Sequence, residues 1–156
     1  MKKLNLVLGI LMALEGGQAV AATFTVANGQ TLTTAQTLAA GQTGTVATGG
    51  ALQVSGSTNA VAVTGSSSIT NSGAIAQTGT GRAIRDNTGN LTLTVTNNVG
   101  ASMTAADGDV IQMNKASSNI TFYNSGLLSS ANASAGGSQA IDFNAITTGQ
   151  NTLYNY

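Results

Sequence analysis

Short apolar and polar stretches alternate in a repeating pattern along the second half of the chain. An apolar stretch is followed by Asn and, two or three residues later, by Gly. This pattern occurs at Ile69–Gly73, Val95–Gly100 and Phe122–Gly126, and it begins again at Leu153. The recurring residues are Asn71, Asn97, Asn124 and Asn155. Their numbers differ by 26, 27 and 31, a period at which one repeat forms one unit of a solenoid.

A second apolar mark keeps the same period. Ala-Ile or Val-Ile pairs end at Ile84, Ile111 and Ile141, which are separated by 27 and 30 residues. A third apolar stretch precedes each Asn, as in Leu91–Thr94. Three short apolar stretches in each repeat, separated by Gly, Ser, Asn and Thr, predict three short strands per coil.

The residue types favour strands over helices. After residue 21 the chain has no Glu and a single Lys, Lys115, so the residues that build surface helices are missing. The run from Leu91 to Thr96 alternates apolar and polar residues with period 2, which is typical of a half-buried strand. The chain is therefore predicted to be all-β, a right-handed parallel β-helix of about five coils and about 27 residues per coil.

This fold assigns structural roles to the recurring residues. Equivalent strands of successive coils lie about 4.8 Å apart, so the side chains of Asn71, Asn97, Asn124 and Asn155 are predicted to form a hydrogen-bonded ladder. The following Gly would supply a positive φ or a close backbone approach, and Ile84, Ile111 and Ile141 would stack in the core. Residues 22–45 are expected to form a looser N-terminal cap, and the step of 31 predicts a loop at residues 131–138.

The composition agrees with a repetitive β protein. The 156 residues include 20 Gly and no Pro or Cys, and only 6% are charged while 42% are hydrophobic. The low charge separates the chain from charged disordered tails. The competing interpretation is a disordered linker, because stretches rich in Gly, Ser and Asn, such as residues 131–138, resemble linkers.

Residues 1–21 have the parts of a secretory signal peptide in the usual order. Lys2 and Lys3 precede the apolar run Leu6–Leu14, and Ala19 and Ala21 provide a small-residue cleavage signal. The competing interpretation is a membrane anchor, but a helix that spans a bilayer needs about 20 apolar residues. The rest of the chain carries three cations and four Asp, so it lacks the basic surface that binds nucleic acid.

These features together resemble the passenger regions of bacterial autotransporters, the type V secretion proteins of Gram-negative bacteria. The signal peptide, the opening Thr25–Gly29, and the repeats at Ile69–Ile75 and Phe122–Gly126 carry the resemblance, which covers most of residues 22–156. It implies a non-enzymatic stalk or adhesin, displayed on the cell surface or released, whose partner is a host-surface protein or a glycan. It also implies a C-terminal translocator barrel in the outer membrane, which this sequence does not include. We therefore expect the sequence to be a truncated passenger whose exposed coil ends self-associate.

Few residues are suited to catalysis. The chain has no His and no Cys, so it cannot form a Ser-His-Asp or Cys-His arrangement or the usual zinc sites, and we expect neither a cofactor nor a metal. The alternative is a pectin-lyase-like carbohydrate-active enzyme, which needs at least three acidic residues in one groove. Asp107 and Asp109 would share a face if they lay on a strand, although Asp-Gly-Asp is also typical of a turn. Asp86 and Asp142 are offset relative to Ile84 and Ile141 and need not align with each other.

Two pairs of side chains are candidate ligand surfaces. Arg82 and Arg85 could hold an anionic glycan, or they could simply keep the strand soluble. Tyr123 and Tyr154 occupy the same place in consecutive repeats, so they are predicted to stack, either to bind sugar rings or a partner, or only to stabilise each other.

A further alternative is ice binding. Thr92, Thr94 and Thr96 project from one face of a strand in the Thr-x-Thr pattern of ice-binding β-solenoids, which need the array repeated in successive coils. The next repeats keep only Thr121 and Thr152. We therefore expect the array not to continue.

Overall fold

The computed structural model describes residues 23–131 and 138–156. The predicted signal peptide, residues 1–21, lies outside the described residues, as do positions 132–137 of the predicted loop. Within the described ranges the regular structure consists of short strands, with no helix.

The strands form three sheets. Sheet A consists of β1 (Phe24–Val26), β4 (Thr43–Val46), β7 (Ser67–Asn71), β10 (Thr92–Asn97), β13 (Asn119–Asn124) and β16 (Asn151–Asn155). Sheet B consists of β2 (Thr31–Leu32), β5 (Ala51–Val54), β8 (Ala74–Gln77), β11 (Ser102–Ala105) and β14 (Leu127–Ser130). Sheet C consists of β3 (Gln36–Leu38), β6 (Val61–Val63), β9 (Ile84–Asp86), β12 (Ile111–Met113) and β15 (Ile141–Asp142).

Consecutive strands enter sheets A, B and C in turn, so each coil contributes one strand to each sheet. Every strand pairs in parallel with its equivalent in the neighbouring coil. The predicted parallel β-solenoid with three strands per coil is confirmed.

The coils lengthen along the chain. In sheet A the register partners Phe24 and Gly44 are 20 residues apart, and the following steps are 25, 26 and 27. The last step, from Phe122 to Leu153, is 31. The segment 22–45, which we expected to be a looser cap, contains the first strand of each sheet.

Alternation along each strand places apolar side chains in the interior. In β10, Leu93 and Val95 are fully buried while the threonines between them face outward. Ile84 and Ile111 are fully buried register partners in sheet C, and each such side chain stabilises the fold by about 1.5–3 kcal/mol. Ile141 continues this stack but is only half-buried, because its strand is the last of sheet C.

The glycines after the ladder positions serve both purposes proposed from the sequence. Gly100 has a φ of +77°, a conformation that side-chain-bearing residues rarely adopt. Gly126 instead permits a close approach, because a Cβ there would lie 2.5 Å from the carbonyl oxygen of Ala101 and 2.6 Å from that of Asn98.

Candidate functional site

The four recurrent asparagines lie in one column in sheet A. The Nδ2 group of Asn71 donates to Oδ1 of Asn97 at 2.9 Å, Asn97 donates to Asn124 at 2.8 Å, and Asn124 donates to Asn155 at 2.7 Å. The first two are fully buried, Asn124 is buried, and Asn155 is exposed. We call this column the Asn ladder; it runs through the interior parallel to the backbone hydrogen bonds.

The Asn ladder also connects two sheets. Besides its bond along the column, Asn71 Nδ2 donates to the carbonyl oxygen of Ser102 in sheet B at 2.9 Å. Asn97 Nδ2 donates in the same way to the carbonyl oxygen of Leu127 at 3.1 Å. Both amide hydrogens of these two side chains are therefore used, and each Asn ties sheet A of its own coil to sheet B of the next coil.

A buried aspartate holds another part of the chain. Asp86 is fully buried, and its carboxylate accepts hydrogen bonds from the backbone N–H groups of Thr88 at 2.7 Å and Gly89 at 3.1 Å, and from the hydroxyl of Ser118. A buried carboxylate needs such donors to offset its lost hydration. This role was not foreseen from the sequence, in which Asp86 was considered only as a possible member of an acidic groove.

Four of the seven charged residues in the described part of the chain line one cleft beside sheet C. We call it the sheet C cleft; its volume is about 280 Å³. It is lined by Thr80, Arg82, Asp107, Gly108, Asp109, Gln112, Ser138, Gln139 and Asp142. Three aspartates therefore line one groove. Residues 106–108 form a bend and Asp109 follows it outside any strand, in agreement with the turn interpretation rather than with a shared strand face.

Hydrogen bonds between coils organise the cleft. Arg82 Nε donates to Oδ2 of Asp109 at 3.1 Å, forming an ion pair. The backbone N–H of Gln139 donates to Oδ1 of Asp109 at 2.8 Å. Gln112 Nε2 donates to Oδ2 of Asp142 at 2.9 Å. Arg82, Asp109 and Gln139 come from three successive coils, so the cleft exists only when the coils are stacked.

Arg85 lies next to this cluster. It is the register partner of Gln112 on the neighbouring strand. Burial lowers the pKa of the Arg85 guanidinium, and the positive charge of Arg82 lowers it further, while the charge of Asp109 acts in the opposite direction. The two arginines proposed as a ligand surface are thus close to each other, and Arg82 is already paired with Asp109.

Tyr123 and Tyr154 form the predicted stack. Their ring centroids are 5.0 Å apart and the ring planes differ by 5°. Both rings are partly exposed on the outward face of sheet A, 37% for Tyr123 and 45% for Tyr154. They are on a different sheet from the arginines, so the two candidate ligand surfaces do not form one site.

The threonine array extends further than the sequence indicated. In sheet A, one outward column contains Thr25, Thr45, Thr70, Thr96, Tyr123 and Tyr154, and the next contains Thr43, Ser68, Thr94, Thr121 and Thr152. Toward the C-terminus the array narrows to Thr121 and Thr152, as expected from the sequence. Toward the N-terminus, where shorter coils concealed the register, it continues through Thr70, Thr45 and Thr25. The ice-binding alternative stays a prediction.

In residues 23–131 and 138–156, no three His, Cys, Asp or Glu side chains are grouped so that they could hold a metal ion. Across the same part of the chain, no helix has the length and apolar character required to cross a membrane.

Comparison with known proteins adds no assignment to this geometry. No family model, no characterised protein and no solved structure matches the chain.

Proposed function

We propose that the chain is a non-enzymatic, exported stalk that presents adhesive surfaces outside the cell, as a part of an autotransporter passenger. The observation that carries this proposal is the Asn ladder. It continues the same side-chain hydrogen bonds through four successive coils, which makes the solenoid a continuous rod rather than a shell around one active site.

The outer faces of the rod supply the adhesive surfaces. Sheet A presents the stacked tyrosines and two columns of hydroxyl side chains, and sheet C presents the charged cleft. Exposed aromatic rings and polar groups of this kind contact sugars and proteins. The partner is then a host-surface protein or a glycan, reached after export directed by residues 1–21.

The test is display of the chain on a Gram-negative bacterium. Residues 1–156 are fused in front of an unrelated translocator barrel with an epitope tag, and a matched fusion lacks residues 1–21. We expect antibody labelling of intact cells and binding of those cells to a glycan-coated surface with the first fusion only. Retention of the first fusion in the cytoplasm, or labelled cells that bind no better than cells displaying the barrel alone, would contradict the proposal.

One observation favours a second candidate, a carbohydrate-active enzyme. Asp107, Asp109 and Asp142 line the same cleft, as a groove of acidic residues for general acid-base chemistry requires. However, both oxygens of Asp109 already accept hydrogen bonds, one of them in an ion pair. Incubation with neutral and acidic polysaccharides, followed by an assay for new reducing ends, separates the two functions; a stalk releases none.

A further inference from the structure

Two buried polar atoms beside the sheet C cleft lack partners. Within the described ranges, neither Oε1 of Gln112 nor Nε of Arg85 has a hydrogen-bond partner. Gln112 is only 7% exposed and lines the cleft. The two residues are register partners on adjacent strands, which lie about 4.8 Å apart. A buried acceptor and a buried donor therefore remain unsatisfied on neighbouring strands, where each costs stability.

The chemistry of these two atoms selects the ligand. A hydroxyl group is both an acceptor and a donor, so a single hydroxyl can accept from Arg85 Nε and donate to Gln112 Oε1. A carboxylate or sulfate has no hydrogen to give to Oε1, and an ammonium group has no lone pair for Nε. The orphaned pair thus fits a neutral hydroxyl.

The surroundings of the pair narrow the ligand further. One arginine, Arg82, and three aspartates, Asp107, Asp109 and Asp142, line the cleft, so the net charge of its lining, −2, disfavours anions. The carboxylates can accept hydrogen bonds from additional hydroxyls. A volume of about 280 Å³ lies just below the roughly 300–1,000 Å³ of pockets for drug-sized ligands, which suits one ring.

We propose that the sheet C cleft binds a single neutral sugar ring, with one ring hydroxyl bridging Arg85 Nε and Gln112 Oε1. The inference rests on the proposed adhesive function and specifies its ligand class: a neutral glycan rather than the anionic glycan expected from the arginines alone.

The experiment uses the ¹⁵N-labelled full chain and follows backbone amide shifts by NMR. The probes are the methyl glycosides of glucose, galactose and mannose, with methyl glucuronide as the anionic control on the same ring, and Ca²⁺ as a separate probe. We expect at least one neutral glycoside to shift the amides of Gln112 and Met113, and glucuronide to bind at least about tenfold more weakly, a difference of 1.4 kcal/mol.

Two variants make the test specific to the orphaned pair. Gln112→Met keeps the side-chain length and removes both the unsatisfied acceptor, whose loss is stabilising, and the bond to Asp142, whose loss is destabilising. Its thermal midpoint should therefore stay close to that of the parent, while neutral glycosides should bind at least about tenfold more weakly. Gln53→Met, on the outward face of sheet B, is the matched control and should bind as the parent does.

Three results would overturn the proposal: no shift at Gln112 with any neutral glycoside, which means that only water occupies the site; equal binding of glucuronide or stronger binding of Ca²⁺; or undiminished binding by Gln112→Met. If any of these results is obtained while antibody still labels the displayed fusion on intact cells, the proposed sugar site is contradicted but the proposed exported stalk is not. Loss of surface labelling contradicts the stalk whatever the NMR result.

Discussion

Asn97→Ala is the sharpest perturbation of the solenoid. The substitution removes three hydrogen bonds, one from Asn71 at 2.9 Å, one to Asn124 at 2.8 Å and one to the carbonyl oxygen of Leu127 at 3.1 Å. At about 1 kcal/mol each, the loss is about 3 kcal/mol. Asn71 keeps its bond to the carbonyl oxygen of Ser102, which limits the cost on that side. On the other side, the buried Oδ1 of Asn124 loses the donor that Asn97 supplied.

The measurement is equilibrium unfolding in urea, followed by circular dichroism, with comparison of midpoints at equal slope. Asn155→Ala is the matched control, since it makes the same change at the exposed end of the Asn ladder and removes only the bond from Asn124 at 2.7 Å. We expect this control to cost about 0.5 kcal/mol or less. Equal losses of stability in the two variants would refute the view that the buried ladder stabilises the rod.

Four further outcomes are expected. Gly126→Ala should lower stability by about 1–3 kcal/mol in urea unfolding, because the added methyl group overlaps two carbonyl oxygens, whereas Ser125→Ala should change little. Tyr123→Ala should lose the stacking with Tyr154, which lowers the free energy of unfolding by about 0.5–1.5 kcal/mol in addition to the effect of the lost buried area. If Tyr156→Ala were as destabilised as Tyr123→Ala, this prediction would be contradicted. Asp109→Asn should lower the free energy of unfolding by about 1.5 kcal/mol or more, because the buried carboxylate accepts two hydrogen bonds, and Asp107→Asn should lower it by less. Neither substitution should change the amount of reducing ends released from polysaccharides. Sedimentation velocity should show concentration-dependent association of the full chain, since Leu153 on the edge strand β16 is 46% exposed, and Leu153→Lys should suppress it; a monomer at every concentration would exclude association through this edge.

The sequence was sufficient to place the Asn ladder and the parallel strands. Asn and Ile recur at almost constant spacing from Asn71 onward, and an interior position in a solenoid tolerates few replacements because it contacts the same position in both neighbouring coils. Toward the N-terminus this spacing is not maintained. Val46 and then Val26 take the ladder position, and the coil shortens to 20 residues, so the register of the threonine columns could not be read from spacing.

The sheet C cleft could not be assembled from the sequence either. Asp109 precedes β12, Asp142 ends β15, and Arg82 lies before β9, so these residues come from different coils and from segments without a fixed offset. The buried position of Asp86 was equally hidden. Its register partner is the apolar Met113, and only the local turn and Ser118 supply the donors that make a carboxylate tolerable there.

The direction of the hydrogen bonds determines how the rod yields to force. Backbone bonds between coils and the side-chain bonds of the Asn ladder both run along the axis, so tension applied along the axis loads the bonds of one coil junction at a time instead of shearing many together. The coil at the pulled end peels away first, while the coils behind it keep their pairing. A released coil of 27 residues, at about 3.4 Å per residue, lengthens the chain by about 90 Å. The stalk that we propose would then extend in steps and absorb work at each step, so that a sudden pull would lengthen it before its attachment breaks.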